Sequence, residues 1–167
     1  MKLLRPDYTA QSLHEINPDI LRQNGIHGII LDLDNTIIPW DSPGMQPEIV
    51  HWIKELLQKN YRICLLSNNM TQRVKQIADS LGVPYVPRAC KPFKTGFRQA
   101  IAVLQLAPSE VAVVGDQLFT DVLGGNRLGL FTIWVAPLST NEFIGTKLTR
   151  KIEKLTVCLL KVRGLLK

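Results

Sequence analysis

The chain has 167 residues, of which 46% are hydrophobic and 20% are charged. That length suits one domain with a sizeable core and excludes two ordinary domains, while the composition excludes a disordered chain. No apolar stretch approaches transmembrane length, and residues 1–7 contain no continuous apolar signal-peptide core, so neither secretion nor membrane spanning is expected.

The three cysteines are odd in number and lack the spacing of a metal site. Disulfides need pairs, and zinc sites usually show closely spaced Cys or His ligands. Cys64, Cys90 and Cys158 are therefore predicted to be reduced thiols in a cytoplasmic compartment, and a zinc site is not expected.

The N-terminal part of the chain is predicted as a lead-in segment over residues 1–26. It contains one short helix over about 18–24, because Asn17 can cap its start and Gly25 can end it. A buried strand follows over about 27–33.

Beyond this strand and an irregular loop, apolar strand runs alternate with segments of helical periodicity. Helices are predicted over 48–60, 71–81, 94–106 and 118–128, and strands over 62–66, 84–87, 111–114 and 130–135. The strand runs are too continuous to be solvated on one face, which is typical of a parallel sheet covered on both sides. We therefore predict an α/β fold with a five-stranded parallel sheet.

Polar side chains follow several of these strands. Asp32 and Asp34 lie two positions apart at the end of the first strand, so they would project to the same side. Ser67 and Asn68 follow the second strand, Lys91 follows the weak third strand, and Asp116 follows the fourth. Because ligands bind outside the carboxyl ends of parallel strands, these side chains predict a binding site at one edge of the sheet.

The Asp32 and Asp34 carboxylates would repel each other, so the pair needs a compensating group. A divalent cation that bridges to phosphate, or a shared proton, would supply one. The alternative is an Asx-type turn in which Asp and Asn side chains serve only the backbone. Turn chemistry alone does not predict that four separate segments deliver polar groups to one edge.

Four short strings in this order resemble the motifs of the haloacid dehalogenase (HAD) superfamily of phosphohydrolases. They are Asp-Leu-Asp-Asn-Thr at 32–36, Leu-Leu-Ser-Asn-Asn at 65–69, Lys91-Pro92, and Gly-Asp-Gln-Leu-Phe-Thr-Asp at 115–121. The resemblance covers about residues 27–136 and implies a Rossmannoid three-layer sandwich. We expect this core to belong to a single domain over 1–167.

The resemblance also implies roles for the carboxylates. Asp32 would attack the phosphorus and form an aspartyl-phosphate, while Asp34 would act as general acid and base. Transport ATPases of the superfamily carry Thr at the second position, so Asp34 favours a phosphatase. A Mg²⁺ ion would be held by Asp32, the backbone carbonyl of Asp34, Asp116 and, through a bound water, Asp121.

The phosphate-binding groups implied by the resemblance come from three of the motifs. They are the backbone around Leu33 and Asp34, the hydroxyl of Ser67, the backbone N–H of Asn68, and the Lys91 ammonium. Lys94 lies three residues beyond Lys91 and could share its role, although the Lys-Pro pair favours Lys91.

The spacing between the motifs leaves no room for a cap domain. A loop, a helix and a strand fill the 33 positions from Asp34 to Ser67, and only 24 positions separate Ser67 from Lys91. An open site suits a large substrate, or one that another surface presents, which would then exclude water.

The net charge of +6 is concentrated in the C-terminal segment. Residues 142–167 contain seven basic and two acidic residues, and their apolar residues recur every three or four positions. This pattern predicts a basic amphipathic helix over about 142–166. Such a helix can lie on an anionic membrane or pack on the domain or on a second copy, so a monomer and a homodimer both remain open.

The missing cap, the motif I string and the chain length resemble the YqeG-type subfamily IIIA, which includes phosphatidylglycerophosphate phosphatases. The resemblance implies that the substrate is phosphatidylglycerophosphate. It also implies a cytoplasmic protein that binds peripherally to the inner face of a membrane. The alternatives are a phosphatase for nucleic-acid ends, phosphoproteins or small phosphate esters, and a non-catalytic phosphate-sensing or scaffold protein. The regular apolar spacing over residues 142–167 disfavours nucleic acid as the partner.

Overall fold

The computed structural model describes residues 2–39, 42, 44–69, 71–139 and 156–157, which contain a six-stranded parallel sheet. The strands are β1 Tyr8–Ala10, β2 Gly28–Leu31, β3 Arg62–Leu66, β4 Tyr85–Val86, β5 Val111–Gly115 and β6 Phe131–Val135. Their order across the sheet is β1-β6-β5-β2-β3-β4, and all neighbours are parallel. The strands β2, β3 and β5 at the centre are almost entirely buried apolar runs.

Helices cover both faces of the sheet. They are α1 Pro18–Gln23, α2 Pro47–Gln58, α3 Thr71–Leu81, α4 Lys94–Leu104 and α5 Leu123–Asn126, with short 3₁₀ turns at Lys2–Leu4, Leu13–Glu15 and Pro108–Glu110. The apolar sides of α2 and α3 share one core cluster with alternate residues of the central strands, and α4 packs in a second cluster with the opposite residues. The predicted three-layer α/β architecture is confirmed.

The predicted count of five strands is too low by one, because β1 lies in the segment predicted as a lead-in. This three-residue strand has no apolar run from which it could be predicted. It pairs with β6 at the sheet edge, where side-chain contacts also hold it. The Asp7 carboxylate accepts hydrogen bonds from the backbone N–H and the hydroxyl of Thr132, at 2.8 and 3.0 Å. The edge of the sheet therefore depends on one buried threonine.

The helix predicted over 118–128 begins differently from expectation. Residues Leu118–Val122 form a π-helical turn before α5 continues the helix. The wide turn carries Asp121 into the interior, where the residue is 1% exposed and its carboxylate accepts a hydrogen bond from the Gln117 N–H at 3.2 Å. Such turns are frequent at functional sites.

The chain order reverses at the centre of the sheet. The chain passes from β2 through β3 to β4 on one side and then crosses to β5 on the other side of β2. The crevice at the carboxyl ends of β2 and β5 is therefore the switch point at which such folds bind ligands. In the described residues between Asp34 and Lys91, only loops, α2, β3, α3 and β4 occur, so this edge carries no cap there.

The predicted C-terminal helix lies outside the described residues except at Thr156 and Val157, which are helical. Val157 packs against Leu118 and Val122 of the π-helical turn. Within the described part of the chain, no helix combines the length and apolar composition needed to cross a bilayer.

Candidate active site

Three carboxylates converge at the switch point. Asp32 follows β2, Asp116 follows β5 and Asp121 comes from the π-helical turn, and one carboxylate oxygen from each lies within 4.8 Å of the others. All three residues are buried. The Thr36 hydroxyl donates a hydrogen bond to Asp116 Oδ1 at 3.3 Å, which fixes that carboxylate from the loop after β2.

Lys91 lies between two of these carboxylates. Its Nζ donates hydrogen bonds to Asp32 Oδ1 and, at 2.6 Å, to Asp121 Oδ1. Burial alone would lower the pKa of the Lys91 ammonium, but the charges of Asp121 and Asp32 outweigh burial and raise the pKa above its ordinary value. Lys91 therefore stays cationic at the centre of the cluster.

The turn that carries Lys91 is held by the side chain of Asn68. Asn68 Oδ1 accepts from the Lys91 backbone N–H at 2.7 Å, and Asn68 Nδ2 donates to the Lys91 carbonyl at 3.2 Å. Because both main-chain groups of Lys91 are bound by one residue at the end of β3, the lysine is fixed relative to the sheet. This side-chain contact was not predicted from the sequence, which assigned only the Asn68 backbone to phosphate binding.

Asp34 lies beside Ser67 at the rim of the site. Its Oδ2 accepts from the Ser67 hydroxyl and from Asn69 Nδ2, each at 3.4 Å, and Ser67 Oγ in turn accepts from the Asn69 N–H at 3.0 Å. Among the described residues, Asp34 Oδ1 accepts no hydrogen bond, and Arg73 Nε lies 3.6 Å from it. One oxygen of this carboxylate is thus held by two hydrogen bonds, and the other is buried beside the Arg73 guanidinium.

Arg73 joins Asp34 to the loop that follows it. This half-buried side chain projects from α3, and its Nη2 donates to the carbonyls of Pro39 and Ser42 at 2.9 and 3.3 Å. Arg73 could not be selected from the sequence, because its contact with Asp34 is tertiary and Lys75 on the same helix is an equal candidate by charge. Thr36 and Asn69 were also not selected as site residues, although both lie inside the motif strings.

A glycine at the end of β5 makes room for the cluster. A Cβ at Gly115 would lie 2.2 Å from Cγ of Asp121. A side chain at Gly115 would therefore displace the Asp121 carboxylate from its position beside Asp32 and Lys91. On the other side of Asp116, the Trp134 indole N–H donates to the Asp116 carbonyl at 2.9 Å and fixes the backbone there.

The carboxylate cluster has the chemistry of a divalent cation site. It places three buried carboxylates against one ammonium, and uncompensated buried charge is costly. Burial is the largest influence on Asp32 and raises its pKa to about 7, against the opposing effect of Lys91. Hard divalent cations prefer carboxylate oxygens, so an ion bound by Asp32, Asp116 and Asp121 would balance the remaining negative charge.

The structure therefore brings together most of the residues selected from the sequence. Asp32, Asp116, Asp121 and Lys91 form the cluster, with Asp34 and Ser67 paired at its rim. Lys94 is exposed at the start of α4, away from the position of the Lys91 ammonium between the carboxylates. The side chain of Asp34 lies outside the carboxylate cluster, as expected for a residue that offers a metal only its backbone carbonyl.

Comparison with known proteins identifies the family. Residues 1–137 match the family described as mitochondrial PGP phosphatase. The chain belongs to this family. It is 36% identical over 163 residues to the Bacillus subtilis protein named probable phosphatase YqeG, covering 98% of this chain and 95% of that protein.

Two further comparisons agree with this membership. Phosphatidylglycerophosphatase GEP4, mitochondrial, from Saccharomyces cerevisiae is 28% identical over 150 residues, covering 80% of this chain and 78% of that protein. The cobalt-bound deoxy-D-mannose-octulosonate 8-phosphate phosphatase of Haemophilus influenzae superposes with a TM-score of 0.54 at 16% identity, over 67% of this chain and 69% of that chain, and shows the shared fold. The predicted membership of the YqeG-type phosphatidylglycerophosphate phosphatases is confirmed.

From the carboxylate cluster we predict that a divalent cation stabilises the folded protein. Added MgCl₂ or MnCl₂ at 100 times its dissociation constant should raise the melting temperature by about 5 °C or more, since binding at that ratio stabilises the folded state by about 2.7 kcal/mol. Calorimetry with and without metal measures this shift within each variant. Asp116→Asn should lose the shift, whereas Asp34→Asn should retain it because the Asp34 carboxylate lies outside the cluster. Equal shifts in both variants would contradict the assignment of the site.

Proposed function

We propose that the chain is a Mg²⁺-dependent phosphomonoester hydrolase that converts phosphatidylglycerophosphate to phosphatidylglycerol through an aspartyl-phosphate. The observation that carries this proposal is the buried pairing of Asp32 with Lys91, beside Asp116 and Asp121 at the switch point. Family membership supports the phosphatase chemistry, and the name of the yeast relative supports the lipid substrate.

In the first step, an Asp32 carboxylate oxygen attacks the phosphorus, and the bond between phosphorus and the ester oxygen breaks. The leaving alkoxide takes a proton from Asp34, which Ser67, Asn69 and Arg73 hold at the rim of the site. Ser67 and the Lys91 ammonium bind the phosphoryl oxygens, together with the backbone N–H groups of Leu33, Asp34 and Asn68.

In the second step, water hydrolyses the aspartyl-phosphate. Asp34, now deprotonated, accepts a proton from this water, which attacks the phosphorus and releases Asp32. The Ser67 hydroxyl and Asn69 amide hold Asp34 Oδ2, so the same carboxylate can serve both steps without leaving the rim. When bound by Asp32, the Asp34 carbonyl, Asp116 and Asp121, Mg²⁺ would offset the repulsion between nucleophile and phosphate.

The uncovered edge of the sheet at the active site supports a substrate that is presented by a membrane surface. Within the described part of the chain, no inserted domain covers the carboxyl ends of β2 and β5. A lipid phosphate in a bilayer would itself cover the site and exclude bulk water. The predicted basic amphipathic helix over about 142–166 provides a second contact with an anionic membrane, on which the protein would be peripheral.

The substrate and the nucleophile can be tested together by phosphate release. Purified protein with Mg²⁺ should release phosphate from phosphatidylglycerophosphate in mixed vesicles, and Asp32→Asn should lower kcat by more than about 1000-fold because it removes the nucleophile. Asp79→Asn on the exposed side of α3 is the matched control and should retain activity. Hydrolysis of soluble esters without release from the lipid would reject the lipid substrate, and full activity of Asp32→Asn would reject the mechanism.

Arg73 should act as a positioning residue for Asp34. Arg73→Met should lower kcat by about 10- to 100-fold for an alkyl phosphate, whose leaving alkoxide needs a proton, and much less for 4-nitrophenyl phosphate, whose leaving group does not. Steady-state kinetics on both esters measures the difference, and Arg73→Lys should restore part of the loss.

The matched control for Arg73 is Lys75→Met, which removes an exposed cation from the same helix. Lys75→Met should leave kcat for both esters unchanged. An equal loss on both esters in Arg73→Met would indicate a merely structural role for the arginine.

A further inference from the structure

One aromatic side chain projects from the turn that carries Lys91. Phe93 is 67% exposed, which is more than Val103 at 47% or Leu3 at 46%, the other exposed large hydrophobic side chains among the described residues. It lies only two residues beyond Lys91, whose Nζ contacts the proposed nucleophile. Phe93 therefore lies at the same edge of the sheet as the active site.

This turn is held in place at several points. Asn68 binds both main-chain groups of Lys91, and the Phe93 N–H donates to the Cys90 carbonyl at 2.9 Å. From the far side, Arg127 Nη1 donates to the Pro92 carbonyl at 3.5 Å. The exposed ring is therefore presented by an ordered turn beside the site, and its exposure does not come from a loose chain end.

The charged residues near Phe93 in the sequence are all basic. Arg88, Lys94, Arg98 and Arg127 are exposed, and no Asp or Glu occurs between Asp79 and Glu110. Lys94 and Arg98 are one turn apart on α4, so their side chains lie on the same flank of the helix. We call Phe93 with these four basic residues the basic turn surface.

We propose that the basic turn surface docks the active-site rim on an anionic lipid bilayer, with Phe93 inserted at the headgroup boundary. An aromatic ring surrounded by cations matches the chemistry of such a boundary, where apolar groups are buried and anionic headgroups attract Lys and Arg. This inference rests on the proposed function, because docking here brings a lipid phosphate to Asp32.

The position of the surface explains how an uncapped site can act on a membrane lipid. Because Phe93 is adjacent in sequence to the Lys91-Pro92 pair, a bilayer that accepts the ring would also lie over the edge of the sheet at which Lys91 contacts Asp32. The phosphate of a lipid headgroup would then approach the site without leaving the bilayer.

The test uses the full chain with Phe93→Ser and, separately, the double variant Lys94→Glu and Arg98→Glu. Activity is measured with Mg²⁺ on phosphatidylglycerophosphate in phosphatidylglycerol-containing vesicles and on soluble 4-nitrophenyl phosphate, and vesicle binding is measured by co-sedimentation. Val103→Ser, which removes an exposed apolar side chain from the other end of α4, is the matched control.

Phe93→Ser should lower vesicle activity by about tenfold, since the buried ring area is lost, while hydrolysis of the soluble ester is unchanged. The double variant should lower vesicle activity and co-sedimentation, with the loss greatest at low salt, and Val103→Ser should match the wild type. Full vesicle activity in both test variants would overturn the inference, as would equal losses on both substrates. In a gel-shift assay with an oligonucleotide, a salt-sensitive loss of binding by the double variant without loss of vesicle binding would also overturn it.

These outcomes are distinct from a failure of the proposed function. If the wild type hydrolyses the soluble ester and not the lipid phosphate, the substrate is wrong. If the wild type hydrolyses the lipid and both test variants do so equally well, only the docking surface is wrong.

Discussion

The structure of the site depends on burying three carboxylates around one lysine at the end of a parallel sheet. Asp32, Asp116 and Asp121 repel one another, and Lys91 compensates only part of their charge. Several local features maintain this arrangement. Gly115 leaves space for the Asp121 carboxylate, the Thr36 hydroxyl binds Asp116, and Asn68 fixes the backbone of Lys91. The remaining negative charge gives the cluster the chemistry of a divalent cation site.

Around this cluster, different segments of the chain form the rim of the site. Asp34 lies between the Ser67 hydroxyl and the Arg73 guanidinium, which also holds the loop at Pro39 and Ser42. The turn that carries Lys91 ends in the exposed Phe93. Among the described residues no inserted domain covers the rim, and in the proposed function the bilayer that carries the substrate would cover it.

The central strands and helices could be predicted from the sequence, because their apolar runs and helical periodicities reflect deep burial. The carboxylates were identifiable because each follows a strand end or lies in a motif string. The strand at Tyr8–Ala10 was not identifiable, since its pairing depends on the distant contact between Asp7 and Thr132. The π-helical turn at Leu118–Val122 has the same sequence periodicity as an α-helix, and Arg73 reaches Asp34 only through tertiary packing.

In the proposed mechanism, Asp32 carries the phosphoryl group during turnover. The most direct measurement is to quench the reacting enzyme in acid, reduce any acyl phosphate with borohydride, and locate the product by peptide mass spectrometry. An aspartyl-phosphate at Asp32 would be reduced to homoserine at position 32, in amounts that depend on substrate and are absent from Asp32→Asn. Phosphate release with aspartate unchanged at position 32 and homoserine at another carboxylate would contradict the account.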